Sequence, residues 1–232
     1  MKSLGLQMKP DVTDDQMSRW DSTYSSNQNF FGMEPSQLGM DSLIVFREHR
    51  AMKILELGCG QGRDTLYLAQ NGMEVTAMDY SETGLCQVKE KAVSMKVGRS
   101  IVLKVGDARE GLPFEDGTFD GCFSHMFFTM QFPEKELSYI FTEVLRVLRP
   151  GGLNVYSVRN VNDPQFGKGK HFGEDMWQNP LGFVVHFFSE DKVRRLATGY
   201  DVLLIKEFED PSPPFTKKLF EVVLEKPGIS EK

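Results

Sequence analysis

The feature that most constrains this chain is an alternation running from residue 52 to residue 158. Short apolar runs at 52–57 (MKILEL), 73–78 (MEVTAM), 101–105 (IVLKV), 119–124 (FDGCFS) and 153–158 (LNVYSV) read as strands. Helix-period segments lie between several of them. One covers 64–70 and stops at Asn71-Gly72. Another follows Ser81, a natural N-cap, and carries Leu85, Val88, Ala92 and Met95. The clearest covers 134–148, with Leu137, Ile140, Phe141, Val144, Leu145 and Leu148 on one face. Strands separated by helices imply a mostly parallel sheet with helices on both faces, since a parallel neighbour is reached only by a crossover.

Outside that stretch the pattern is looser. Ser36 to about Arg50 predicts a helix, and a second begins near Ser189; residues 1–35 and 160–183 carry no clear periodicity. Strand patterns at 201–208 and 218–225 are joined only by a Pro-rich turn, which suits an antiparallel pair. The last strand is expected to add an antiparallel edge.

The strand at 52–57 runs into ILELGCGQGRDTL, with glycines at 58, 60 and 62. A dinucleotide fingerprint needs a third small residue at the position that Arg63 occupies, where a helix would pack close to the strand. Glu56 adds a second objection: a helix N-terminus attracts a pyrophosphate, and a nearby carboxylate repels it. A cationic ligand without phosphate meets both objections, and S-adenosylmethionine has a sulfonium and an ammonium.

At this point the sequence resembles the class I S-adenosylmethionine-dependent methyltransferases, of the type 11/25-like small-molecule kind, whose first motif is an acid followed by GxGxG. The resemblance continues through VTAMDYSE, VGDARE, LPFEDGTFDGCFSH and EVLRVLRPGGLNVYSV, and covers roughly residues 50–160. It implies an α/β fold: a Rossmann-like three-layer sandwich whose mostly parallel seven-stranded sheet ends in an antiparallel last strand. It also implies one domain over 1–232, with 1–50 as an N-terminal lid and helical segment, 51–160 as the cofactor-binding core, and 161–232 as a substrate-side insertion and final strands.

The implied cofactor contacts are Glu56 at the amino-acid end, the loop residues Gly58, Cys59 and Gly60, Asp79 at the ribose and Asp107 at the adenine, with Tyr80, Ala108 and Ser124 as further cofactor-binding residues. Asp79 could instead cap a helix, and Cys59 reads better as a small turn residue than as a reactive thiol. The N-terminal stretch from Trp20 and Tyr24 to Phe31 resembles the lid of small-molecule methyltransferases of the tellurite-resistance and thiopurine types. With it, His125, Phe128, Arg159 and His171 are candidates for the acceptor pocket. For Phe128 a core position is the better reading. His125 is a weak candidate for a catalytic base, and no triad is expected, because positioning and exclusion of water carry much of a methyl transfer.

Composition narrows the partners. The formal charge of -6 disfavours a polyanionic partner, so nucleic acid is not expected and a small-molecule acceptor is. Three scattered cysteines imply neither a disulfide framework nor a zinc site, and no metal is expected. No apolar run reaches the roughly 20 residues that would span a bilayer. A cytoplasmic monomer or homodimer, with S-adenosylhomocysteine as product, is therefore expected. Alternatives are a methyltransferase acting on a protein or nucleic-acid site, a non-catalytic protein that binds the cofactor, and a nicotinamide oxidoreductase, which Glu56 and Arg63 oppose.

Overall fold

A computed structural model describes residues 12–212 and 215–228. The five strand patterns become β1 (Lys53–Leu57), β2 (Glu74–Asp79), β3 (Ile101–Val105), β4 (Phe119–His125) and β5 (Leu148–Arg159). They pair in parallel in the order β3-β2-β1-β4-β5. β1 is buried from Ile54 to Leu57, as a strand covered on both faces must be. Ile54 packs with α2 (Gln37–Glu48), α3 (Arg63–Gln70) and α4 (Glu82–Ser94), whereas Leu55 and Leu57 pack with α5 (Glu134–Val147) and α6 (Glu190–Leu196). Alternation along β1 therefore sends Glu56 to the α3 side.

The helix starts follow the expected chemistry. Ser36, Ser81 and Ser189 cap α2, α4 and α6, accepting from the backbone N–H of Gly39, Gly84 and Lys192. The strand expected at 153–158 starts earlier: 149–152 forms its irregular beginning, and Leu148, expected in the helix, already belongs to β5.

The end of the chain corrects one expectation. β9 (Asp201–Ser212) and β10 (Phe215–Glu225) are antiparallel, but β10 is not the edge: it pairs with β5 on one side and β9 on the other. Burial explains the order. Leu219 to Leu224 of β10 are buried, while Val202 and Leu203 of β9 are exposed, so the more apolar strand takes the interior position.

Two further elements had no clear signal. Residues Val12–Ser26 form helix α1. Within 160–183 and just beyond it, β6 (Lys170–Gly173), β7 (Met176–Gln178) and β8 (Val184–His186) form a separate antiparallel sheet. No helix among the described residues is long and apolar enough to cross a membrane.

Candidate functional site

Strand order reverses between β1 and β4, and ligands on open α/β sheets bind beyond the carboxyl ends of the strands at such a switch. A cavity of about 580 Å³ opens there, within the range of small-molecule sites. It is lined by the β1, β2 and β3 ends together with α1, the β4–α5 loop, the β7–β8 loop and the β9–β10 hairpin.

The glycine loop leaves β1 with positive φ at Gly58, Gly60 and Gly62. Gly60 shows why a side chain fails there: its φ is +52°, and a Cβ would stand 2.7 Å from the Tyr24 hydroxyl. Gly62 supplies the close helix packing that the dinucleotide pattern puts one place later. A Cβ at Gly62 would come within 2.7 Å of Val88 on α4. Cys59 is buried, and burial pushes its thiol well above the ordinary range, so the thiolate needed for reactivity is suppressed.

Two buried carboxylates line the cavity. Glu56 accepts a 2.5 Å hydrogen bond from the Thr65 hydroxyl at the start of α3. Burial and the nearby Asp64 raise its pKa to about 8, against the Thr65 bond and Arg63. No described cation forms an ion pair with it, although an ionised buried carboxylate is costly without one.

Asp79, at the end of β2, accepts from Gly60 N–H at 2.8 Å with Oδ2 and from Ser81 N–H at 2.9 Å with Oδ1. It thus ties the glycine loop to the start of α4, and the capping reading and the cavity position hold together. Burial raises its pKa to about 6, while those N–H bonds lower it.

Asp107 lines the cavity and caps the short 3₁₀ turn 108–110, and Arg109 grips both its oxygens. Tyr80 and Ala108 complete this wall. Ser124 does not reach the cavity: it is fully buried, and its hydroxyl has no protein partner among the described residues.

α1 and the loop after it form an aromatic roof beside the glycine loop. Trp20 lies 5.5 Å from Tyr24, 5.8 Å from Phe31 and 4.6 Å from Phe183 of the β7–β8 loop, centroid to centroid. Gln61 anchors the roof to the glycine loop. Its amide accepts from Phe30 N–H at 2.9 Å and donates to the Asn27 carbonyl at 2.6 Å. The lid residues Trp20, Tyr24 and Phe31 all line the cavity, as do His125 and Arg159, the latter held by Asp163 and Gln165.

Two acceptor candidates lie elsewhere. Phe128 is fully buried between Phe141 and Tyr156, and Phe127 lines the cavity in its place. The irregular backbone of the β4–α5 loop offers no period to separate the two. His171 is exposed on β6, stacked on Trp177 at 4.4 Å, away from the cavity.

Lining residues without a sequence signal include Phe183, Thr129 and Lys217. Phe183 came from a stretch read as irregular. The strand pattern in the sequence begins only at 218, whereas β10 starts at Phe215 and includes Lys217.

The residues present fit S-adenosylmethionine. A carboxylate at Glu56 lacks a described ion partner, and Asp79 is buried at the ribose-binding distance along the chain, both on the cavity wall.

Comparison with known proteins agrees. The Methyltransferase domain family matches residues 54–152. The chain is 38% identical over 202 residues to the demethylmenaquinone methyltransferase of Staphylococcus aureus, covering 78% of this chain and 77% of that protein. It spans only 21% and 54% of the length of two other curated relatives, the BioHC protein of Teredinibacter turnerae and the probable methyltransferase ltbC of Aspergillus luteorubrus.

Among solved structures, a SAM-dependent methyltransferase of Methanosarcina mazei superposes with a TM-score of 0.66 at 26% identity, covering 76% of this chain and 92% of that one. The fold, the glycine loop with its acids and these relatives together place the chain in the family of class I S-adenosylmethionine-dependent methyltransferases.

Proposed function

We propose that the protein transfers the methyl group of S-adenosylmethionine to a small, largely apolar acceptor held under the aromatic roof. One observation carries this reading. A single cavity is lined both by the buried acids Glu56 and Asp79 and by the aromatic side chains of Trp20, Phe31 and Phe183. All three chain segments contribute to it, which supports reading 1–232 as one methyltransferase domain.

When bound, S-adenosylmethionine supplies a methyl group on a sulfonium, which an acceptor nucleophile attacks in line with the departing sulfur. The chain's residues bind, orient and exclude water. Glu56 offers charge to the cationic end, Asp79 accepts from ribose hydroxyls, and the roof keeps the acceptor dry, which strengthens the electrostatics inside. The staphylococcal relative acts on a quinone, and the aromatic walls here are suited to a ring of that kind.

Titration of the purified protein with S-adenosylhomocysteine, with NAD in parallel, tests the reading. Binding in the micromolar range for the first and none for the second is expected. Binding of NAD alone would overturn it.

The raised pKa of Glu56 gives a second expectation. In the free protein its proton is held more tightly folded than unfolded. Its contribution to stability is therefore complete below about pH 4.5 and is lost as pH rises through about 8. A cationic ligand favours the carboxylate, so binding S-adenosylmethionine near pH 7 should expel up to one proton. Calorimetry in buffers of different ionisation heat measures this release, and Glu56→Gln should abolish most of it. Equal release in both proteins would separate Glu56 from the ligand.

A further inference from the structure

The β4–α5 junction holds a hydrogen-bond arrangement that decides what His125 can do. Ser157 on β5 is fully buried. Its hydroxyl has two partners among the described residues: Met126 N–H, which donates to Oγ at 3.1 Å, and His125 Nδ1, 2.9 Å away. The Met126 N–H is shared with the Ser157 carbonyl at 3.2 Å, and Met126 itself adopts a left-handed φ of 56°, unusual for a side chain of its size. An N–H can only donate, so the single acceptor left for the serine proton is Nδ1. With the serine proton donated to Nδ1 the imidazole carries its own proton on Nε2; the reverse tautomer would make the serine accept twice and leave its buried proton without a partner, at a cost of about 1–3 kcal/mol. Burial also keeps the ring neutral, holding its pKa well below the usual histidine range; Arg63 and Lys217 push the same way, and Asp64 and Asp210 push back. No described residue bonds Nε2, and His125 lines the cavity.

We propose that His125 is fixed as its Nε2–H tautomer and acts as a hydrogen-bond donor to a carbonyl or oxyanion oxygen of the acceptor, not as a base. The role in the acceptor site rests on the methyl-transfer reading above; the tautomer does not. It defines an acceptor class: a planar, acidic enol or phenol type of molecule that enters as its delocalised anion. Such an acceptor supplies the electron pair of the new bond itself, and its proton has already gone to solvent. The pair of the broken carbon–sulfur bond stays with sulfur. Donation from Nε2–H stabilises the charge on the acceptor oxygen and sets the ring's orientation in the cavity.

His186 provides an internal control. Its Nδ1 lies 2.8 Å from the Phe132 carbonyl and must donate, and its Nε2 lies 2.8 Å from the Lys192 ammonium and must accept. The two histidines, His125 half-buried and His186 buried, are thus set in opposite tautomers.

Long-range proton–nitrogen correlation spectra of protein labelled with ¹⁵N-histidine read this directly at pH 7. The protein has four histidines, and His125→Gln and His186→Gln assign these two. His125 should show a protonated Nε2 and a bare Nδ1, and His186 the reverse. Ser157→Ala should release the lock and give His125 a mixture. A protonated Nδ1 on His125 in the unaltered protein would overturn the proposal.

The acceptor role is tested with 2-hydroxy-1,4-naphthoquinone added to protein saturated with S-adenosylhomocysteine. It should bind and shift the His125 Nε2–H signal. His125→Ala should weaken that binding roughly ten-fold or more. His125→Gln, whose amide can still donate, should recover most of the loss. Failure of the probe to bind, equal binding by His125→Ala, or no rescue by glutamine would overturn the acceptor assignment. Failure of S-adenosylhomocysteine itself to bind would instead overturn the methyl-transfer reading and leave the tautomer result standing.

Discussion

Replacing Asp79 with alanine is expected to weaken S-adenosylhomocysteine binding by about 2–4 kcal/mol, roughly 30- to 1,000-fold. The loss has two sources. The ligand's hydroxyls lose a carboxylate partner, which for charged hydrogen bonds is the larger part. The Gly60 and Ser81 N–H groups lose the acceptor that ties the glycine loop to α4, so the loop is less well ordered before the ligand arrives. Asp79→Asn keeps one acceptor oxygen and should lose less. Because the Asp79 pKa is raised to about 6 by burial, affinity should also fall as pH drops through that value and the carboxylate is protonated. Calorimetry of the three proteins at pH 7.5 and 5.5 decides the matter. Unchanged affinity in Asp79→Ala would remove Asp79 from the site.

Phe128→Ala is expected to have the largest effect on stability, about 3–5 kcal/mol. The ring is fully buried, 4.6 Å from Phe141 and 5.1 Å from Tyr156, and its removal leaves a cavity between β5 and α5 that these rigid neighbours cannot fill. For a chain of this size the melting temperature should fall by about 10 °C. Affinity of the folded protein for S-adenosylhomocysteine should stay close to that of the unaltered chain. Thermal unfolding and calorimetry read the two quantities separately. A small loss of stability with a large loss of binding would return Phe128 to the cavity wall.

The neighbouring residues Phe127 and Phe128 mark where sequence reading stops. Both are aromatic, adjacent and in an irregular loop, where neither a two-residue nor a 3.6-residue period assigns a face. Only the turn after the left-handed Met126 sends one ring to the cavity and the other to the core. The same limit applies to β6 and β7. Their two-residue turn is Glu174-Asp175, with φ of 50° and 64°, in place of the Asn-Gly that advertises such a hairpin. Its support comes from far along the chain: the Lys192 ammonium donates to the Asp175 carboxylate at 2.9 Å and to the Glu174 carbonyl at 3.1 Å.

What the sequence by itself determined is the parallel half of the sheet, the glycine loop with Glu56, Asp79 and Asp107 at its strand ends, and the serine caps of α2, α4 and α6. These features depend on residues a few positions apart, so local periodicity and turn chemistry express them directly. Only the tertiary structure decided the interior place of β10, the aromatic roof that joins Trp20 to Phe183, the retreat of His171 to an exposed face and the hydrogen bond between His125 and Ser157. Each of these is a meeting of groups distant in sequence. Which groups meet is set by competition for burial and for hydrogen-bond partners across the whole molecule, and no local pattern records its outcome.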